Sequence, residues 1–162
     1  LPVSTVPGKR KNCLELLFET FKSNGFDDKT SKSLAEKVLK YGAMAWKESF
    51  DGRAKREVGL TVDKEGNVSD RSYSEWGQVF GNNRPEPSGG SSFRLHTHPW
   101  SAGPFSPGND RAGPSPGDIN TATGKIPGFG PSHEGFYGMN RNGTLGIGVI
   151  DPTTGNVEYC DV

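Results

Sequence analysis

An α+β fold is the class this sequence predicts, and three observations predict it. Apolar residues between Cys13 and Ala45 recur at helical spacing, whereas later apolar residues alternate at period two in short runs. The 23 Gly and 12 Pro, which punctuate regular structure, are unevenly spread: 26 of these 35 fall between Gly81 and Gly155. That excess excludes a helix bundle or a coiled coil. Finally, 19 basic residues face 19 acidic ones in a 162-residue chain, so the large net charge of a disordered segment is missing and one globular core is expected.

The elements follow in order. Residues 1–9 read as a linker and 10–162 as a single domain. Leu14, Leu17, Phe18 and Phe21 predict a first helix that stops at Gly25. Leu34, Val38, Tyr41 and Ala45 form the stripe of a second, with Asp28 or Thr30 as its cap. At Glu57-Val58-Gly59-Leu60-Thr61-Val62 the period switches to two, and Lys64-Glu65-Gly66-Asn67 makes a turn. Phe93, Leu95 and Thr97 alternate with Arg94, His96 and His98, and Pro99 ends that strand. Both segments read as half-buried strands.

A Gly/Pro/Ser-rich loop then runs from Trp100 to Gly117, a length that in compact domains usually carries function. Ser115-Pro116-Gly117-Asp118 starts a short helix, with Ser at the N-cap, Pro at the first position and an acid at the third. Phe136–Met139, Leu145–Ile150 and Asn156–Tyr159, separated by Asn140-Arg141-Asn142-Gly143 and by Thr154-Gly155, form a terminal meander. Cys13 and Cys160 are too few for a disulfide framework and read as two small residues, one in a helix and one near a terminal strand.

Composition also bounds function. A balanced charge provides no global field for nucleic acid or anionic lipid, and no apolar run approaches the roughly 18 residues of a membrane span. A chain that begins at Leu1 has the look of a mature product or an excised C-terminal module.

The chemistry concentrates in a few residues. Positions two apart on a strand share a face, so His96 and His98 project together at a separation one metal ion can bridge. A third ligand is needed. Asp118, aimed by a capped helix start, is the preferred candidate, and Asp110 in Ser106-Pro107-Gly108-Asn109-Asp110 is its rival. Glu57 is either an ion-paired surface glutamate or the carboxylate that moves a proton for a metal-activated water. His133 reads as an ordinary surface residue, Trp76 as a core or loop anchor, and Trp100 and Phe105 as candidate cleft walls.

Taken in order, Glu57-Val58-Gly59-Leu60 after a long helix, His96-Thr97-His98-Pro99, and Ser115-Pro116-Gly117-Asp118-Ile119 resemble the signature of the JAMM (JAB/MPN) metalloproteases. In particular they resemble the JAB-like domains carried at the C-termini of bacterial polymorphic toxins and secreted effectors. The resemblance spans about Leu34 to Ala122. It implies a mixed central sheet flanked by helices, with the Gly/Pro-rich loop at the active site. It implies Zn²⁺ held by His96, His98 and Asp118, Glu57 as the proton carrier and Ser115 as donor to the tetrahedral oxyanion. It also implies a protein or peptide substrate, a cognate immunity or inhibitor protein, and delivery as a secreted effector. The stretch from Trp100 to Pro114 is longer than the family's, which keeps Ser106 and Asp110 as the alternative register.

Three readings result: a zinc peptidase or isopeptidase, a metal-dependent nuclease or phosphodiesterase toxin, and an inactive binding module of the same fold. Neutral charge disfavours the second, and the complete ligand set disfavours the third.

Overall fold

The computed structural model describes residues 11–80, 84–100, 113–139 and 143–162; the linker expected over 1–9, most of the long loop and the Asn140–Asn142 turn lie outside them. The described residues form an α+β fold, a six-stranded mixed sheet flanked by three helices.

Helix α1 (Cys13–Ser23) begins where the Asn12 side chain accepts a hydrogen bond from Glu15 N at 2.8 Å. It ends as expected at Gly25, whose positive φ lets Gly25 N reach Lys22 O and Phe26 N reach Phe21 O. The Phe21 and Phe26 rings close that cap edge to face at 6.0 Å. The buried stripe is Cys13, Leu16, Leu17, Thr20 and Phe21, so Leu14 is a correction: its side chain falls one position off the stripe and is exposed.

Helix α2 (Asp28–Glu48) buries Leu34, Ala35, Val38 and Ala45. Its N-cap is Asp27, whose carboxylate accepts from Thr30 N, rather than Asp28 or Thr30. Asp27 holds the extended backbone a cap requires, and Asp28 is already helical.

The strands are β1 (Val58–Asp63), β2 (Ser72–Tyr73), β3 (Ser91–His98), β4 (His133–Met139), β5 (Leu145–Ile150) and β6 (Val157–Asp161), in spatial order β2-β1-β3-β4-β5-β6. All neighbours are antiparallel except β3 and β4, which run parallel with His96 opposite Phe136. β4, β5 and β6 make the expected meander. Helix α3 (Pro116–Ala122) lies in the crossover between the parallel strands.

Alternation sorts the strands onto two faces. One packs Leu60, Val62, Phe93, Leu95, Tyr137, Ile147 and Val149 under α1 and α2. The other packs Phe136 and Ile150 against Ala122 of α3. Because both faces are covered, β1 and β3 are buried along nearly their whole length instead of half-buried.

The reading of the cysteines is also corrected: Cys13 and Cys160 form a disulfide across a sequence separation of 147 residues. Their side chains face each other because Cys13 opens the helical layer and Cys160 sits on the sheet face beneath it. Local pattern carried no trace of this, since the pairing depends on where the last strand docks.

Two stability outcomes are expected. Converting both cysteines to Ser should lower urea-unfolding stability by ~2–5 kcal/mol, because a long closed loop constrains the unfolded chain most. Gly148→Ala should cost ~1–3 kcal/mol in the same assay by overpacking: a Cβ there would stand 2.2 Å from the Phe136 ring.

Candidate metal centre

Thr97 decides which way its neighbours point. It is fully buried on the helical face, where its Oγ1 accepts from Val58 N at 3.0 Å and shares a 2.7 Å hydrogen bond with Ser49 Oγ at the end of α2. His96 and His98 therefore project from the opposite face, with their Nε2 atoms 2.9 Å apart. The His98 ring is held by stacking on Phe136, centroids 5.0 Å apart and planes 18° apart.

Asp118 arrives from above on α3. The helix start has the expected Ser cap and closes it as a reciprocal capping box: Ser115 Oγ accepts from Asp118 N at 3.1 Å, and Asp118 Oδ2 accepts from Ser115 N at 3.0 Å. The cap leaves the carboxylate facing both imidazoles, Oδ1 3.2 Å from His96 Nε2 and Oδ2 3.2 Å from His98 Nε2.

Glu57 stands one residue before β1 rather than within it. Its amide donates to Ser74 Oγ and its Oε1 accepts from Phe80 N at 2.8 Å. A Glu57 carboxylate oxygen and a nitrogen from each of His96 and His98 lie within 4.8 Å of one another, a cluster that could hold a metal ion. Gly59, in register with His96, has no side chain because Phe80 packs there; a Cβ would meet its ring at 3.2 Å.

The electrostatics favour a cation among these groups. Burial opposes the charged form of His96, but the Asp118 charge, with the hydrogen bonds His96 donates to Asp118 and Glu134, outweighs it and pushes the imidazole up to about 10. Asp118 is also penalised by burial, and the charge and hydrogen bond of His96 hold its carboxyl far below the usual range. A divalent ion satisfies the same demand. Ligands at 2.0–2.1 Å around a tetrahedral ion stand about 3.3 Å apart, close to the 2.9 and 3.2 Å spacings of His96, His98 and Asp118. The residues present thus fit a metal such as zinc.

The cluster opens into a cleft of about 630 Å³ lined by Val79, Phe80, Trp100, Ile126 and Phe129 beside the polar groups, including Ser115. Trp100 takes the wall position expected of it, while Phe105, Ser106 and Asp110 lie outside the described residues. Trp76 is a loop anchor: Arg56 stacks on its ring at 3.9 Å, and the ring lies against Gly52. His133 is on the other face of the sheet, its Nδ1 3.3 Å from Asn24 Nδ2, with burial pulling its pKa down.

Sequence reasoning passed over a buried charge network beside the cluster. Glu134, wholly buried on β4, has Oε2 2.7 Å from His96 Nδ1 and 2.7 Å from Arg84 Nη2. Burial would raise the Glu134 carboxyl, but the Arg84 charge and the His96 hydrogen bond hold it below the usual range. Arg94, also buried, pairs with Glu86 through Nε at 3.2 Å and Nη2 at 2.5 Å. Residue order gave no signal of it, because Arg94 and Glu134 stand out only once their strands are covered on both faces, a placement rare for Arg or Glu without a partner. Comparisons of the chain with protein-family models, with curated proteins and with solved structures give no match.

Proposed function

We propose that this chain is a zinc-dependent hydrolase of JAMM type that cleaves an amide bond in a peptide or isopeptide, carried as the effector or toxin module of a larger secreted protein. The observation that supports it most is the convergence of His96 Nε2, His98 Nε2 and the Asp118 carboxylate at 2.9–3.2 Å, with Glu57 beside them. The ordered motif resemblance points the same way.

Bound at these residues, zinc would polarise the scissile carbonyl and lower the pKa of water toward neutrality. Glu57 has the proton-carrier role. Phe80 N fixes one of its oxygens at 2.8 Å and so sets the carboxylate plane, leaving the other to take a proton from water and pass it to the leaving amine. Ser115 spends an oxygen lone pair on the helix cap, which leaves its O–H to donate to the developing oxyanion. The apolar cleft walls suit peptide side chains better than a polyanion.

A disulfide is favoured in an oxidising compartment, and no helix among the described residues is long and apolar enough to cross a membrane. The disulfide accords with a secreted module, while delivery and a cognate inhibitor protein are proposed on the motif resemblance alone.

Native mass spectrometry should find about one zinc per chain; a folded protein that takes up none from added zinc would remove the reading. His96→Ala, His98→Ala and Asp118→Ala should each lose zinc and activity. Glu57→Ala should keep zinc while turnover of a cleaved peptide falls ~10²–10⁴-fold. Retained metal in Asp118→Ala together with lost metal in Asp110→Ala would move the third ligand across the loop. Divalent-metal-dependent nicking of plasmid or RNA, abolished by Glu57→Ala, would replace the peptidase reading by the nuclease one.

A further inference from the structure

We propose that Glu134 is a positioning residue of the metal centre: its carboxylate takes the Nδ1–H of His96 and so turns the Nε2 lone pair toward the ion, while Arg84 holds the carboxylate in place. The proposal rests on the metal-site reading above and adds a residue from a strand that the motif resemblance does not reach.

A buried carboxylate needs a reason, because removing it from water carries a desolvation penalty that pairing only partly returns. Neutralising Arg94 is not that reason. Arg94 is already served by both oxygens of Glu86 and by the carbonyls of Gly130 at 2.6 Å and Thr121 at 3.5 Å, and its closest approach to Glu134 is 3.8 Å. Arg84 approaches at 2.7 Å, close enough for an ion pair but off the geometry of a hydrogen bond. Among the described residues, the one hydrogen bond to the Glu134 side chain is that of His96, at 2.7 Å; its Oε1 has none.

The geometry assigns the ring's orientation. An imidazole with Nδ1–H committed to a carboxylate carries its lone pair on Nε2, the atom facing His98 and Asp118. His98 lacks such a partner, its buried Nδ1 being unsatisfied among the described residues, and depends on Phe136 stacking instead. The two histidines are thus held differently, His96 by charge and His98 by packing. Parallel pairing puts Glu134 two residues before Phe136, opposite Arg94 and on the same face as His96, so β4 supplies both supports.

Glu134→Gln keeps the shape but makes a weaker acceptor. Competition with a chromogenic zinc chelator should show zinc affinity lowered ~10–100-fold, as expected for an outer partner of a ligand histidine. In the zinc-loaded wild type, histidine ¹⁵N–¹H spectra should show a slowly exchanging His96 Nδ1–H, a signal that a merely structural glutamate would not affect and that should weaken or broaden in Glu134→Gln. Unchanged affinity with an unchanged Nδ1–H signal in a folded variant would overturn the proposal. If the variant does not fold, the wild-type spectrum decides, because zinc-loaded protein without a protected His96 Nδ1–H overturns it equally. Wild type that binds no zinc would instead overturn the reading of the site on which the proposal stands.

Discussion

Parallel pairing of β3 with β4 is the constraint on which the rest depends. Antiparallel neighbours can be joined by a tight turn, but two parallel strands must be joined by a chain that climbs over the sheet and returns. Here that chain is the segment from Pro99 to Ser132, and it carries α3 across the face from which His96 and His98 project. The crossover thus brings Asp118 down onto histidines some twenty positions earlier in the chain. The same pairing sets Glu134 and Phe136 beside them. Had β4 been antiparallel to β3, neither the acid above nor the supports alongside would meet the imidazoles in this register.

The two faces of the sheet divide the work. Under α1 and α2 lies a continuous apolar core, closed at the chain ends by the disulfide between Cys13 and Cys160. The opposite face carries a smaller apolar cluster around Phe136 and Ile150, and beside it the buried charges. A site on that second face can hold charged groups at fixed separations because the larger core supplies the stability that such groups consume. Thr97 links the layers. Its hydroxyl is tied to Val58 and Ser49 on the core face, so the strand cannot roll and the histidines on either side keep their direction.

Small residues give the site its tolerances. Phe136 can stack on His98 because Gly148, opposite it on β5, leaves room for the ring, and Phe80 can reach the cleft because Gly59 leaves room beside His96. The packing that orients a candidate ligand is therefore shared over three strands.

Period-two alternation around Thr97, helical spacing in α1 and α2, and Ser-Pro-Gly-Asp at a helix start are local signals, and local backbone geometry follows from them. They made the α+β class, the shared face of His96 and His98 and the Ser115–Asp118 cap legible from residue order alone. Contacts between distant segments left no such trace. The disulfide, the burial of both strand faces and the charge network of Glu134, Arg84, Arg94 and Glu86 depend on strand order and layer packing, which alternation does not encode. Residue types and their spacing determined by themselves which side chains could serve a metal. Only the parallel crossover decided that they meet and which neighbours hold them there, because the pairing of strands far apart in sequence is a property of the whole sheet.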